Sequence, residues 1–595
     1  MLKEKPVDQG DSAVAYVKNK HCRLTFFSLA LMAIHTSSSY AAPLNNLPSS
    51  ATPESSAQAI SGNVPPPVEG PQLLPPLEQG KEVSKTPLGK EAEKITFVLK
   101  KVKLEGNTVY STKTLSTLYQ SKLNKKISIA DLYLLAQSIT NYYRNNGYIL
   151  SRAILPPQHI RNGEVTIRII EGYVDKVTVG GNPDGAKCIV QAYSNHIKDS
   201  RPLQLYDLEY YTMLANEIPG CAAKAVLTPS KSSVGAADVA MMTNTERFRG
   251  YISYDDYGTR YIGPQQITAN IDYSSIIASG DNIDFTFAET LRDKELNYTD
   301  INYLLPITSY GLKLNFGKTR TKTHPMFVLE PADVLGINDI YYTTLSIPVV
   351  RSRTKSYTIT IGINVTDVDV TVTPEVVKLY IDHIRSLYLS NVYGFTDTWY
   401  GNNLISFDVR KGLPAFGYTR DTSITAATSR PQGHADYTKI STQATRLQAI
   451  TNTLSAYGLI RGQYSFNPLL ASEEFVFGGN VLGRAYDPSE IIGDHGVAGT
   501  LELRYDWAAT MRFLQSIQFY VYYDFGKIWN IVKTINGIKK DSATSTGVGS
   551  RFSINQHLSG NIMWTKPLTR EVNAEALVGK GFAPRVFFSI QANWS

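Results

Sequence analysis

The sequence predicts an α+β arm followed by a transmembrane antiparallel β-barrel of about 16 strands. Three observations predict it. The N-terminus reads as an export leader. One element order, strand-helix-helix-strand-strand, occurs twice between residues 94 and 245. From residue 246 to the end, segments of roughly ten residues alternate apolar and polar side chains, separated by turn residues, as barrel strands do.

The leader comes first. Lys18, Lys20 and Arg23 precede an apolar run over 24–34, and Ser39-Tyr40-Ala41 offers small residues at cleavage-site spacing. The run is too short for a membrane anchor. Cys22 precedes it, against a lipoprotein signal. Residues 1–41 are therefore read as a signal peptide, and export places the protein in the cell envelope.

Residues 42–93 form a Pro-rich linker. Val64-Pro65-Pro66-Pro67 and Leu74-Pro75-Pro76 favour extended polyproline conformations. Residues 51–60 have room for one short helix, a candidate plug for the barrel.

The first repeated unit spans 94–172. Residues 95–105 alternate as a half-buried strand, Gly106-Asn107 turns, and 111–118 and 129–146 read as helices. The second helix carries Ile129, Leu132, Leu135, Ala136, Ile139 and Tyr143 at helical spacing. Strands follow over 149–155 and 164–171. The second unit, 173–245, repeats this with a strand over 174–179, helices over 186–198 and 205–217, and strands over 223–228 and 237–243. It holds Cys188 and Cys221. Oxidising surroundings permit a disulfide between them, and their shared unit favours it over two buried thiols.

In the barrel region, Ile517, Phe519, Val521, Tyr523 and Phe525 alternate with Gln518, Tyr520, Tyr522 and Asp524. Leu501, Leu503 and Tyr505 likewise oppose Glu502. This places Asp524 and Glu502 on the polar, lumen-facing side. The last strand, 585–595, sets Val586, Phe588, Ile590, Ala592 and Trp594 on one face.

Composition narrows the function classes. The 595 residues carry 59 basic and 52 acidic side chains, a modest net charge of +7 without dense basic blocks, so nucleic-acid binding has little support. Neither H-E-x-x-H nor G-x-S-x-G occurs, and the histidines lack metal-ligand spacing, which argues against an enzyme or a metal or other cofactor. Gly311 to Gly317-Lys318-Thr319 has one residue too many between its glycines for a phosphate loop and lies in an alternating segment.

Over roughly residues 95–595 the chain resembles the two-partner-secretion outer-membrane transporters of the ShlB/FhaC/HecB type. The two units look like POTRA domains. Ala153-Ile154-Leu155-Pro156-Pro157-Gln158, Gly163-Glu164-Val165-Thr166-Ile167 and Ile170-Glu171-Gly172 are similar to the family's first POTRA pattern. Ile218-Pro219-Gly220 resembles the close of the second, and Asp256, Gly258 and Gly263 its first barrel strand and turn. The segment 466–496 contains Asn467-Pro468-Leu469-Leu470, Phe477-Gly478-Gly479, Gly483-Arg484-Ala485-Tyr486-Asp487 and Gly493-Asp494-His495-Gly496. It resembles the family's inward-folded loop, whose hallmark is Val-Arg-Gly-Tyr or Val-Arg-Gly-Phe. Gly483 and Ala485 depart from that hallmark, and the arginine and aromatic remain. Tyr523-Asp524-Phe525-Gly526 is similar to the barrel-wall motif that receives the loop arginine.

By residue chemistry alone, Arg484 is either a solvated loop residue or the bidentate partner of Asp524. The resemblance favours the partner. It implies a loop lock of Arg484, Tyr486, Glu502 and Asp524, hinged at Gly478 and Gly479. It also implies a function: the POTRA units recognise an unfolded partner in the periplasm, by β-augmentation at their sheet edges, and the barrel secretes it without a nucleotide. The expected partners are a large secreted protein of haemolysin, adhesin or toxin type, outer-membrane lipid, and the barrel-assembly machinery. The alternative within the superfamily is a barrel-assembly insertase, which predicts more than two POTRA units.

Overall fold

The computed structural model describes residues 47–63, 91–292, 295–373, 377–420, 427–507, 514–534 and 537–594. The signal peptide, most of the linker and Ser595 lie outside the described residues.

The first unit carries a three-stranded sheet in which Lys101–Glu105 runs parallel to Glu164–Ile170, which pairs antiparallel with Arg152–Ile154. Helix α1 (Ile129–Asn145) begins in a capping box: Ser128 Oγ accepts from the Asp131 N–H, and the Asp131 carboxylate accepts from the Ser128 N–H. Its buried stripe, Leu132, Leu135, Ile139 and Tyr143, packs on Val165, Ile167 and Ile169 of the central strand. The expected single strand over 95–105 is two. Thr96–Val98 pairs with Lys126–Ser128, then the buried Leu99 and the exposed Lys100 carry the chain across to the other sheet, where the Lys100 N–H donates to Gly163 O (2.9 Å). Glu171 accepts from the N–H groups of Thr108 (2.8 Å) and Val109 (2.9 Å) and from the Tyr143 hydroxyl (2.8 Å), tying the turn to the helix.

The second unit repeats the topology. Tyr173–Asn182 runs parallel to Ala236–Thr245, which pairs antiparallel with Cys221–Pro229. Helices α2 (Lys187–Asp199) and α3 (Leu205–Asn216) pack beside this sheet. The expected disulfide is absent. Cys188 is exposed on the first turn of α2, whereas Cys221 is buried in the core, so both are free thiols. Sharing a unit did not make them neighbours. This unit also grips the barrel's short turns. Tyr210 Oη donates to Pro348 O (2.7 Å), and Glu217 pairs with Lys313 (3.0 Å) and Arg351.

Among the described residues, sixteen strands close a barrel in which every neighbouring pair is antiparallel. They are β1 (Phe248–Asp255), β2 (Gln266–Ser274), β3 (Asn282–Thr290), β4 (Leu296–Pro306), β5 (Lys313–Thr323), β6 (Val334–Arg351), β7 (Lys355–Val372), β8 (Val377–Thr396), β9 (Asn402–Gly412), β10 (Thr438–Ala449), β11 (Leu454–Ser465), β12 (His495–Trp507), β13 (Ser516–Trp529), β14 (Lys540–Ser553), β15 (Leu558–Pro567) and β16 (Arg585–Trp594). Closure removes free sheet edges within the membrane, where unpaired backbone groups cost several kcal/mol each. The alternation resolves as two faces. Leu501, Leu503, Phe519 and Val521 are exposed outward, and Glu502, Tyr520, Tyr522 and Asp524 are buried inward. The near-phosphate-loop sequence around Gly317 is barrel strand β5.

Strand β8 runs 20 residues and β9 only 11, and their register stops at Ser386↔Gly412. Residues 377–385 therefore project past β9 on the side away from the POTRA-like units. The β9–β10 loop covers that projecting edge: the Ile381 N–H donates to Ala427 O (2.9 Å) and the Thr419 N–H to His383 O (2.9 Å).

A further helix, Pro53–Asn63, packs inside the lumen behind a short turn at Ser49–Ala51. Ala51, Glu54, Ala57 and Ile60 are buried. Tyr380 Oη on β8 donates to Glu54 Oε1 (3.2 Å), and Gln58 Nε2 donates to Ser472 O (3.2 Å).

Candidate functional site

The site is the loop between β11 and β12, which folds back into the barrel. Phe475–Phe477 and Ile491–Gly493 pair antiparallel and make it a hairpin with a tip over residues 478–490. Two glycine slots in the wall receive its aromatic rings. A Cβ on Gly526 would stand 2.4 Å from the Phe477 ring, and one on Gly496 would stand 1.9 Å from the Phe475 ring. Phe475, Phe477, Leu482, Tyr486 and Ile491 join Tyr457, Ala498 and Ile528 of the wall in an apolar cluster. Burying such side chains stabilises the docked loop by about 1.5–3 kcal/mol each.

The chain turns into the tip through Gly478 (φ +124°) and Gly479 (φ +110°), a backbone region that side chains avoid. A Cβ on Gly478 would also lie 2.1 Å from Asp487 O. The tip then presents Arg484 to the wall. Arg484 Nη2 donates to Asp524 Oδ1 (2.8 Å) and Nε to Oδ2 (3.2 Å), a bidentate pair. Nη1 pairs with Glu502, and Nη2 also donates to Thr500 Oγ1 (2.5 Å). The N–H groups of Gly483 (3.1 Å) and Arg484 (2.9 Å) complete the Asp524 shell with Ser545 Oγ (3.2 Å). The guanidinium lies 3.5 Å above the Tyr522 ring, a cation–π contact in a desolvated setting.

Arg484 is 4 % exposed and Asp524 is fully buried. Burial alone would lower the arginine's pKa, and the charge of Asp524, its hydrogen bonds and the charge of Glu502 outweigh burial and raise it. Glu502 is shared further with Arg504 Nε (2.7 Å) and Arg551 Nη2 (3.0 Å). Tyr486 lies beside this lock and not in it. Its hydroxyl reaches Thr544 O (2.9 Å) and Arg570 O (3.3 Å). Asp487 pairs with Arg585 of β16 (2.8 Å) and Glu490 accepts from the Asn573 N–H (2.7 Å), so the tip is fastened at several points.

The structure thus brings Arg484, Glu502 and Asp524 together and places Tyr486, Gly478 and Gly479 around them. Thr500, Tyr522, Arg504 and Arg551 were not anticipated. Tyr522 was findable, because it shares the inward face of β13 with Asp524. A cavity of about 1250 Å³ between loop, helix and wall is lined in part by Gln443, Arg461, Arg504, Gln518 and Arg551.

A closed barrel with lipid-ready outer strands, a loop bolted into its lumen and a POTRA arm at one mouth defines an outer-membrane barrel transporter. The chain belongs to the family described as haemolysin secretion/activation protein ShlB/FhaC/HecB, whose profile matches residues 238–552, and the profile of the ShlB-type POTRA domain matches 97–172. The heme/hemopexin transporter protein HuxB of Haemophilus influenzae is 23% identical over 505 residues, covering 80% of this chain and 85% of that protein. The outer membrane transporter CdiB of Dickeya dadantii is 21% identical over 503 residues, covering 83% and 87%. The solved structure of CdiB from Escherichia coli shares the fold, with a TM-score of 0.69 at 16% identity over 84% of this chain and 91% of that one. The protein is accordingly a two-partner-secretion transporter of the outer membrane.

Proposed function

We propose that this transporter takes one large unfolded partner protein from the periplasm through its POTRA arm and passes it outward through the barrel without a nucleotide. The observation that carries this reading is the Arg484–Asp524 lock. A buried loop held by charges in the lumen of a barrel with an arm at its mouth suits a gated conduit. The edge strands Lys101–Glu105 and Cys221–Pro229 of the two sheets suit capture of an extended chain by β-augmentation. Cargo folding outside the cell would then pull the chain through. The cargo proposed is a large secreted protein of haemolysin, adhesin or toxin type, and the relative HuxB is named for heme/hemopexin transport.

The test is deletion of the gene, followed by comparison of the culture medium and the outer-membrane profile with wild type. Loss of one large protein from the medium, with other barrels unchanged, is expected. A general fall in outer-membrane barrels would instead mark an insertase.

A further inference from the structure

We propose that Arg430, on the β9–β10 loop, is a positioning residue that staples the neck of the lumen loop shut, and that the neck stays shut while cargo passes. The loop then moves as one hairpin body. Arg430 is 8 % exposed. Its Nη1 donates to Glu474 Oε1 (2.7 Å) and to Asp494 Oδ1, and its Nη2 to Asp494 Oδ2 (3.0 Å). Glu474 immediately precedes the outgoing limb, Phe475–Phe477, and Asp494 immediately follows the returning limb, Ile491–Gly493. One guanidinium therefore bridges the two carboxylates that close the hairpin's base.

The bridge is braced on every side. Asp494 is fully buried and accepts from the N–H groups of Leu469 (2.7 Å) and Ile531 (2.7 Å). Arg430 Nη2 reaches Asn530 Oδ1 (3.3 Å) on the β13–β14 loop. Beside Glu474, Glu473 is held to the wall by Lys439 (2.9 Å) of β10 and Arg410 (3.4 Å) of β9. None of these groups contacts Arg484, Asp524 or Glu502, so the neck is a second fastening at a separate place, and the tip stays fully seated only while both hold. Bridging two carboxylates uses the planar fork of arginine, which a lysine ammonium lacks.

The test has two arms, both in the full-length chain in the outer membrane. In the first, Ser489→Cys, at a buried tip position, is exposed to a bulky membrane-impermeant maleimide added to intact cells. Both Arg430→Gln and Arg430→Lys should raise its labelling about tenfold while the barrel keeps its heat-modifiable mobility. Labelling unchanged in either variant overturns the proposal, since unchanged labelling with lysine would mean simple charge compensation. The second arm keeps Arg430 and joins the limbs through Val476→Cys and Ile492→Cys, which are register partners. Secretion at the wild-type rate with this disulfide formed is expected. Secretion lost on oxidation and regained on reduction overturns the proposal, even where the Arg430 variants fail to fold. The second arm rests on the export reading, whereas the labelling arm needs no cargo, so the two failures are distinguishable.

Discussion

The Arg484 guanidinium is sandwiched between two neighbours on one strand: it lies 3.5 Å above the ring of Tyr522 and 2.8 Å from the carboxylate of Asp524 two residues on. A loop residue is thus held by charge and by a ring face at once. Removing one partner of such a buried pair typically costs about 3–5 kcal/mol.

Arg484→Ala should leave a folded, heat-modifiable barrel, because Glu502 keeps Arg504 and Arg551. Secretion should fall tenfold or more. Arg484→Lys should not restore it, since lysine keeps the charge and loses the fork. Normal secretion by the alanine variant would remove the lock from the mechanism.

Gly526→Val improves the strand propensity of β13 and fills the slot of the Phe477 ring. The barrel should assemble, with the loop displaced from the lumen. Single-channel conductance in planar bilayers should rise well above wild type. An unchanged conductance would show that the ring is not needed to seat the loop.

Glu54 supplies a pH dependence. Burial first, and then the nearby charge of Asp382, raise its pKa to about 7 from an ordinary 4.5. The docked helix therefore prefers the protonated carboxyl. Docking is at full strength below about pH 4.5, weakens as pH rises toward 7, and levels off above. Channel opening in bilayers should increase between pH 5 and 7, and Glu54→Gln should flatten that response. The same pH response in the glutamine variant would exclude Glu54 as its source.

The free thiols make a direct chemical prediction. Under native conditions a soluble maleimide reaching the periplasm should modify Cys188 rapidly and Cys221 only after unfolding, because one is exposed and the other buried. Identical mobility on reducing and non-reducing gels is expected. A mobility shift on reduction would restore the disulfide.

The period-2 pattern made the barrel and the inward faces of Glu502 and Asp524 legible, because every second residue of a strand shares a face. The repeated unit order made the arm legible down to helix ends within a residue or two. Other features lay beyond local pattern. Leu99–Lys100 looks like mid-strand until Lys125 and Gly163 supply different partners on either side. Helix Pro53–Asn63, expected as a short helix over 51–60, is mostly polar and carries little apolar pattern, and its Ile60 finds Tyr261, Ile262, Leu296 and Tyr298 only in the folded barrel. Arg430 is separated in sequence by 44 residues from Glu474 and by 64 from Asp494, so no spacing could announce the pair.

The covered edge of β8 has a bearing on how a client leaves. A chain emerging as an extended strand would stick to any bare row of amide and carbonyl groups at the rim, by the same pairing that builds fibrils. With Thr419 and Ala427 already bonded along residues 381–383, this edge has fewer free amide and carbonyl groups to offer a strand that passes it.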